Sequence, residues 1–207
     1  MNKKLLLLVI GTVTLTGCIN ANNEAKTDYN AENGLTAPRY TEIKMVKAPL
    51  SVGITDVRTY KSIAIVDDPK TERSLTMESS QPVSMLFENA LLETLSSQGF
   101  QIVSEDDAVG HYDVNILEYN VTSDSNNLLQ STVKVVVKAN TSDNSSYFKK
   151  QFRASGLHQL DYAPTGKDLS EIVNHVSQSV MNEISVDKEL NHFLRTNVEL
   201  VNMESAL

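Results

Sequence analysis

The sequence predicts an α+β fold: a two-layer sandwich in which two main amphipathic helices cover one face of an antiparallel sheet, preceded by a signal peptide and a flexible tether. Short segments with apolar residues at alternate positions recur along the chain and predict strands. Two longer segments carry apolar residues at three- and four-residue steps and predict helices. The 207 residues suffice for one domain, which we place at residues 46–200.

Three short strands open the domain. Leu50, Val52 and Ile54 alternate with small residues, as they do in a half-buried strand. Residues 62–66 form a second apolar run, which ends in an Asp-Asp-Pro-Lys turn, and residues 74–77 form a third.

The first helix is predicted between these strands and Gly99. Ser80 can cap its start, and Pro82 fits its first turn. Gly99 ends it as a left-handed cap, so that Phe100 can fold back onto the last turn. Its apolar stripe consists of Val83, Leu86, Phe87, Ala90, Leu91 and Leu95.

Four further strands follow, and the last three form an antiparallel meander with one solvated face. The phase of the alternation shifts near Ile116 and Leu117, which predicts a bulge or burial on both faces. A polar turn at residues 141–146 joins the last two strands. These strands are predicted at residues 101–104, 113–121, 131–139 and 147–155.

The second helix is predicted to start near Thr165, where Thr165 and Asp168 form a capping pair with Asp in place of the usual Glu. A short helix follows at residues 187–194, and residues 201–207 are predicted to be a frayed tail. The buried stripe of the long helix consists of Leu169, Ile172, Val173, Val176, Val180 and Ile184.

Residues 1–17 read as a lipoprotein signal peptide. Lys3 and Lys4 precede an apolar run too short to span a bilayer, and small residues including Gly17 lead to Cys18. Cleavage between Gly17 and Cys18 leaves Cys18 to carry diacylglycerol and an N-acyl chain such as palmitate. The alternatives are an ordinary signal peptide with Cys18 present by chance, and a membrane-spanning helix, which the polar residues after Cys18 disfavour.

The segment 18–45 is polar and predicts a flexible linker between the acylated cysteine and the domain. Cys18 is the only cysteine, so acylation leaves no thiol for a disulfide, a nucleophile or a metal site. In enterobacterial-type sorting an Asp after the cysteine favours the inner membrane. Ile19 stands there instead, which favours the periplasmic face of the outer membrane.

The chain is acidic, with a net charge of −8. Nucleic-acid binding requires a basic patch large enough to neutralise phosphates, so we expect no nucleic-acid partner. The expected partners are the membrane, through the lipid anchor, and an envelope protein. The sequence leaves the oligomeric state open.

Several ordered segments resemble YajG-type lipoproteins, which are associated with the outer membrane of Gram-negative bacteria and mostly have no assigned function. The segments are the lipoprotein box, Val52 to Arg58, Leu95 to Phe100, Asp113 to Leu117, Val133 to Lys138, Phe152 to Ser155, and Leu190 to Leu194. The resemblance covers essentially the whole chain. It implies location and fold, and it offers no catalytic residues.

No pattern identifies catalytic or metal-binding chemistry. The histidines are His111, His158, His175 and His192, and none has the spacing of a zinc pair. His175 is expected at the boundary of the apolar stripe. No Gly-x-Ser-x-Gly turn or phosphate-binding glycine loop is present. The acidic runs at 67–68 and 105–107 lack the ligand spacing of a calcium loop and read as solvated turns.

The sequence therefore predicts no metal, no cofactor apart from the acyl groups on Cys18, and no enzymatic activity, unless Asp, His and Ser residues converge in space. A docking patch is the remaining candidate site, and its alternative is an ordinary polar face. It consists of Lys134, Lys138, Lys149 and Arg153. We expect a non-enzymatic lipoprotein that binds or scaffolds an envelope partner. The alternative is a lipid- or glycan-binding accessory protein in envelope assembly, with its ligand between helix and sheet.

Overall fold

A computed structural model describes residues 28–29, 48–68, 73–123 and 126–198. The predicted signal peptide at 1–17, Cys18 and the predicted tail at 201–207 lie outside the described residues. Of the predicted linker at 18–45, the structure describes only residues 28–29, which form a short strand.

Within the described ranges the chain forms eight strands and three α-helices, which confirms the α+β class. The strands are β1 (Asp28–Tyr29), β2 (Pro49–Asp56), β3 (Ala64–Asp68), β4 (Arg73–Ser79), β5 (Gln101–Ile102), β6 (Gly110–Ser123), β7 (Leu128–Thr141) and β8 (Tyr147–Gln159). The helices are α1 (Val83–Ser97), α2 (Gly166–Val186) and α3 (Lys188–Phe193), with a 3₁₀ turn at Glu105–Asp107 and a π-helical turn at Leu194–Val198.

The strands form one curled, mixed sheet with β6 at its centre. Strands β6, β7 and β8 are antiparallel neighbours, as predicted. Strands β3 and β4 are antiparallel as well. The prediction of a wholly antiparallel sheet is wrong, because β2 and β3 both run parallel to β6, β5 runs parallel to β2, and β1 runs parallel to β4. The chain passes through α1 between β4 and β6, and a helical crossover of this kind lets it return in the same direction as β2.

Helices α1 and α2 pack on the same face of the sheet. Phe87 of α1 meets Tyr119 of β6 edge to face, with ring centroids 6.1 Å apart. Helix α2 crosses Gly156 of β8 so closely that a Cβ there would lie 2.9 Å from Cγ2 of Val176. Tyr119 and Gly156 belong to the same face because their partners on β7, Val133 and Ser131, are two residues apart. The opposite face carries no helix in the described part of the chain.

Local sequence signals set most element boundaries. Gly99 has φ 95°, and the amide of Phe100 donates to the carbonyl of Leu95 at 3.1 Å, which confirms the predicted left-handed cap. Thr165 and Asp168 form the predicted reciprocal capping box of α2. The predicted bulge lies in β6 between Ile116 and Glu118.

Two boundary predictions are wrong. The N-cap of α1 is Pro82 rather than Ser80, and Pro82 makes no side-chain cap hydrogen bond. The strand predicted at 101–104 ends at Ile102, and the acidic run that follows it forms the 3₁₀ turn Glu105–Asp107. The hydroxyl of Ser104 donates to the carboxylate of Asp107 at 2.7 Å and so competes with continued strand pairing.

Strands β2 and β3 lie in line along one edge of β6, with a break between them. Asp56 at the end of β2 pairs with Ile116, and Ala64 at the start of β3 pairs with Val121. Residues 57–63 leave the sheet across this break. The amide of Val121 donates to the carbonyl of Ile63 at 2.8 Å, which restores pairing on the far side.

The side chain of Arg58 fills the break. Its Nε and Nη2 donate to the two carboxylate oxygens of Asp56, each at 2.9 Å, and its Nη1 donates to the main-chain carbonyl of Tyr119 at 3.0 Å. Longer bonds of 3.4 and 3.5 Å reach the carbonyls of Lys61 and Ser62. The Arg58 side chain is 5% exposed and that of Asp56 is 15% exposed. The guanidinium therefore takes the place of main-chain donors that the break removes from the ladder.

Replacing Arg58 with Met should reduce the free energy of unfolding by about 3–5 kcal/mol, because the largely buried Asp56 carboxylate loses its guanidinium partner and three carbonyls lose their side-chain donor. Urea unfolding followed by circular dichroism measures this loss. The control is Lys61→Met, since Lys61 is 62% exposed and 3.3 Å from Asp56, and it should cost less than about 1 kcal/mol. Equal losses in the two variants would contradict the role given to Arg58.

The fold should also lose stability in acid. Burial raises the pKa values of Asp56, Asp168 and Asp187, but their hydrogen bonds with Arg58, Thr165 and Lys150 respectively bring each pKa below its ordinary value of 3.8. A carboxyl with a lowered folded-state pKa stabilises the fold at pH values above its unfolded-state pKa, and this contribution is lost as the pH falls through the folded-state pKa. The loss should therefore begin near pH 4 and continue below it.

Urea unfolding between pH 7 and pH 2 measures this effect. The free energy of unfolding of Asp56→Asn should fall less steeply below pH 4 than that of the wild type, because position 56 no longer titrates. Parallel curves for the two proteins would show that Asp56 does not contribute to the acid sensitivity.

Candidate functional site

The four predicted docking residues lie together on the open face of the sheet, the face without helices. Lys138 of β7 stands opposite Lys149 of β8, and Lys134 stands opposite Arg153. Their neighbours Val133, Val135 and Val137 are fully buried on the helix-covered face, so the alternation along β7 directs the lysines outward. We call Lys134, Lys138, Lys149 and Arg153 the cationic quartet.

Only one member of the quartet is in an ion pair within the described ranges. Lys134 Nζ lies 3.3 Å from Glu118 Oε1 on β6. Asp113 of β6 is paired with Lys138 in the ladder, but its carboxylate turns the other way, over Gly53 of β2. A Cβ on Gly53 would lie 2.5 Å from Asp113 Oδ1. Because Gly53 has no side chain, the carboxylate of Asp113 can lie over β2 and does not pair with Lys138.

Exposed apolar side chains lie at both ends of the open face. At one end, Tyr147 is 60% exposed and belongs to the row that contains His111 and Asn140. At the other end, Ile65 and Leu157 are 56% and 69% exposed and lie in one cross-strand row through β6 and β7. Large apolar side chains beside unpaired cations suit a surface that a partner covers.

An apolar groove opens on this face where β2 ends and β3 begins. Its volume is about 400 Å³. Tyr60, which is 79% exposed, and Ile65 form part of its rim. Its other apolar walls are Ile63, Leu117, Tyr119 and Val121. No pattern in the sequence predicted this groove, and the only local indication of it is the apolar residues on either side of Asp56 and Arg58.

A polar cleft of about 450 Å³ lies at the other end of the open face. Ser51 Oγ and His111 Nδ1 are 2.7 Å apart across β2 and β6. Asp113 lines the same cleft but turns toward Gly53, and in the described residues no carboxylate is hydrogen-bonded to His111. The pair therefore lacks the carboxylate that orients histidine in a hydrolytic triad.

The remaining titratable groups do not gather into a reaction centre within the described part of the chain. No group of three or more His, Cys, Asp or Glu side chains there is placed to hold a metal ion. His175 is exposed on α2, so its predicted position at the boundary of the core is wrong. Ser155 and His158 are three residues apart on β8, so their side chains leave opposite faces of the strand.

The hollow described between the helices and the sheet is small. It lies among α1, α2, α3 and β6, is bordered by Leu91, Tyr112 and Ile184, and holds only about 10 Å³, which is the space of one water at most. An acyl chain does not fit in this hollow, which gives no support there to the alternative prediction of a lipid between helix and sheet. None of the helices in the described ranges is both long and apolar enough to span a membrane.

One solved structure with a TM-score above 0.5 supports the fold, and two lipoprotein structures are less similar. A crystal structure of a protein from Xanthomonas campestris superposes with a TM-score of 0.53 at 10% identity, over 84% of this chain and 96% of that one. A minor lipoprotein from Acinetobacter baumannii has a TM-score of 0.36 at 14% identity, over 69% of this chain and 96% of its own. A lipoprotein from Neisseria meningitidis has a TM-score of 0.36 at 12% identity, over 67% of this chain and 98% of its own.

Sequence comparison identifies the family. No curated protein matches the chain. A family model described as "Uncharacterized lipoprotein" matches residues 36–195, which include nearly the whole described domain. The chain belongs to this lipoprotein family.

Proposed function

We propose that this chain is a YajG-type lipoprotein, held through acylated Cys18 on the periplasmic face of the outer membrane, and that it binds or scaffolds an envelope protein without catalysing a reaction. The binding surface is the open face of a two-layer α+β sandwich. Membership of a lipoprotein family supports the anchor. The outer-membrane location is inferred from Ile19, which stands where an Asp would favour the inner membrane, and from the resemblance to YajG-type lipoproteins.

One observation carries the binding role: the cationic quartet stands on the open face of a chain whose net charge is −8. A polar face that serves only solubility does not need cations gathered on one face of an acidic protein. Here Lys138, Lys149 and Arg153 have no ion-pair partner within the described residues, although acidic side chains outnumber basic ones in the chain. Cations placed in this way attract an acidic surface and exclude a basic one.

A lipid-binding role is the second candidate, and the groove at the break between β2 and β3 favours it. Its volume of about 400 Å³ and its apolar walls are within the range of small-molecule sites. The ligand would lie on the open face, beside Lys134, rather than under the helices. Lipid bound in native mass spectra of the gently extracted protein would distinguish this role from protein binding.

The anchor is tested by Cys18→Ser. Wild-type protein should incorporate labelled palmitate and sediment with membranes, whereas the variant should remain unlabelled and appear in the soluble periplasmic fraction, because a stable anchor requires acyl chains. If the variant still sediments with membranes, or if the wild type takes up no label, the proposed anchor is wrong.

The binding surface is tested by photo-crosslinking in intact cells. A photoreactive residue at Val136, in the centre of the quartet, should give a discrete crosslinked product. Lys134→Glu/Lys138→Glu in the same protein should reduce the product about tenfold or more, since each reversal turns an attraction into a repulsion.

The matched control carries the photoreactive residue at Lys167, which is 62% exposed on α2. It should give no such product. A product of equal strength from positions 136 and 167, or one that the charge reversals do not change, would contradict binding at the open face.

A further inference from the structure

We infer that the partner of this lipoprotein presents an extended segment with acidic residues at alternate positions, which adds as a strand to the free edge of β8. This inference rests on the proposed function and names the chemistry of the partner. It goes beyond charge attraction, because it assigns main-chain hydrogen bonds to a defined strand.

The outer edge of β8 can accept a further strand. Strand β8 spans Tyr147–Gln159, contains no proline, and among the described strands pairs only with β7. Its 13 residues extend over about 40 Å. Every second main-chain amide and carbonyl along this edge points away from β7, so the strand offers a template for another chain.

Positive charge lies at regular intervals beside that edge. Lys149, Gln151 and Arg153 lie on the open face of β8, and the first and last are cations. A strand added here places its own side chains about 5 Å from these positions. Carboxylates four residues apart in the partner would therefore stand next to Lys149 and Arg153.

On the opposite side of the same edge, the positive charge of Lys150 is already neutralised. Lys150 Nζ lies 2.7 Å from Asp187 and 2.6 Å from Glu189, both at the start of α3. A partner carboxylate on this side would meet two carboxylates. Phe148, which packs on Phe193 at 5.9 Å, favours apolar partner residues there. The edge thus selects acidic and apolar residues in alternation.

A second copy of the chain fits this edge poorly. In the antiparallel register that pairs the whole of β8 with itself, position 153 is the midpoint of Tyr147–Gln159. Two Arg153 side chains would then stand directly opposite each other, and like charges in that position destabilise a sheet. The charge pattern favours an acidic strand over self-association.

The test uses the full mature chain and a blocked ten-residue peptide of alternating glutamate and valine. Fluorescence anisotropy measures binding, and amide hydrogen exchange measures protection of residues 147–159. The Glu-Val peptide should bind and slow exchange along the outer edge of β8. A Lys-Val peptide should not bind, and a peptide of the same composition with its glutamates clustered should bind about tenfold more weakly or worse.

Two variants locate the site. Lys149→Glu/Arg153→Glu should weaken binding about tenfold or more, and the neutral Lys149→Gln/Arg153→Gln should weaken it less. The neutral pair keeps the test decisive if the charge reversal prevents folding. Lys167→Glu on α2 is the matched control and should leave binding unchanged.

Several results would overturn the inference. Binding without slowed exchange in β8 would show charge attraction alone. Concentration-dependent protection without peptide would show a second copy on the edge. Protection that is lost on truncation after Val198 would show that the chain's own C-terminal segment covers it. If the peptide fails while the crosslink at Val136 responds to the reversals of Lys134 and Lys138, the proposed function stands and only the strand addition is wrong.

Discussion

The fold depends on one long strand whose edge is shared by two others. Strand β6 pairs with β7 along its whole length, while β2 and β3 divide its opposite edge between them. The break between β2 and β3 leaves main-chain carbonyls without strand partners. The guanidinium of Arg58 donates hydrogen bonds to these carbonyls, and the carboxylate of Asp56 neutralises its charge. A buried, bidentate ion pair is costly to leave half-formed, so the break and the groove above it are fixed features of this sheet.

In the described residues the helices cover only one face of the sheet, so the other face is open to a partner. Helix α1 packs on Tyr119, and helix α2 packs closely over Gly156. The two larger clefts of the described residues, of about 400 and 450 Å³, lie at the open face. On that face the acidic side chains of β6 lie beside the cationic quartet of β7 and β8, so charge is segregated across the strands, and apolar residues mark both ends.

Local signals in the sequence predicted local structure. The positive φ of Gly99 and the capping box of Thr165 and Asp168 depend on residues within one turn of each other, and both follow from residue type. The outward positions of the quartet followed from strict alternation along β7 and β8. The bulge near Leu117 was visible as a shift in the same alternation.

Features that depend on pairing between distant segments could not be predicted in this way. Nothing in the residues near Ser51 indicates that its Oγ lies 2.7 Å from His111 Nδ1. The parallel register of β2 and β6 brings the two residues together. The role of Arg58 depends likewise on the carbonyl of Tyr119, 61 positions later. The antiparallel prediction for the whole sheet failed for the same reason, because alternation reports burial and not strand direction.

If the proposed function holds, a partner in the envelope covers the open face. Amine labelling of lysines in intact envelopes, compared with the purified chain, measures this coverage directly. Lys138 and Lys149 should be protected in envelopes, while Lys167 should be labelled equally in both samples. Equal labelling of all three lysines in envelopes and in solution would contradict the proposed coverage.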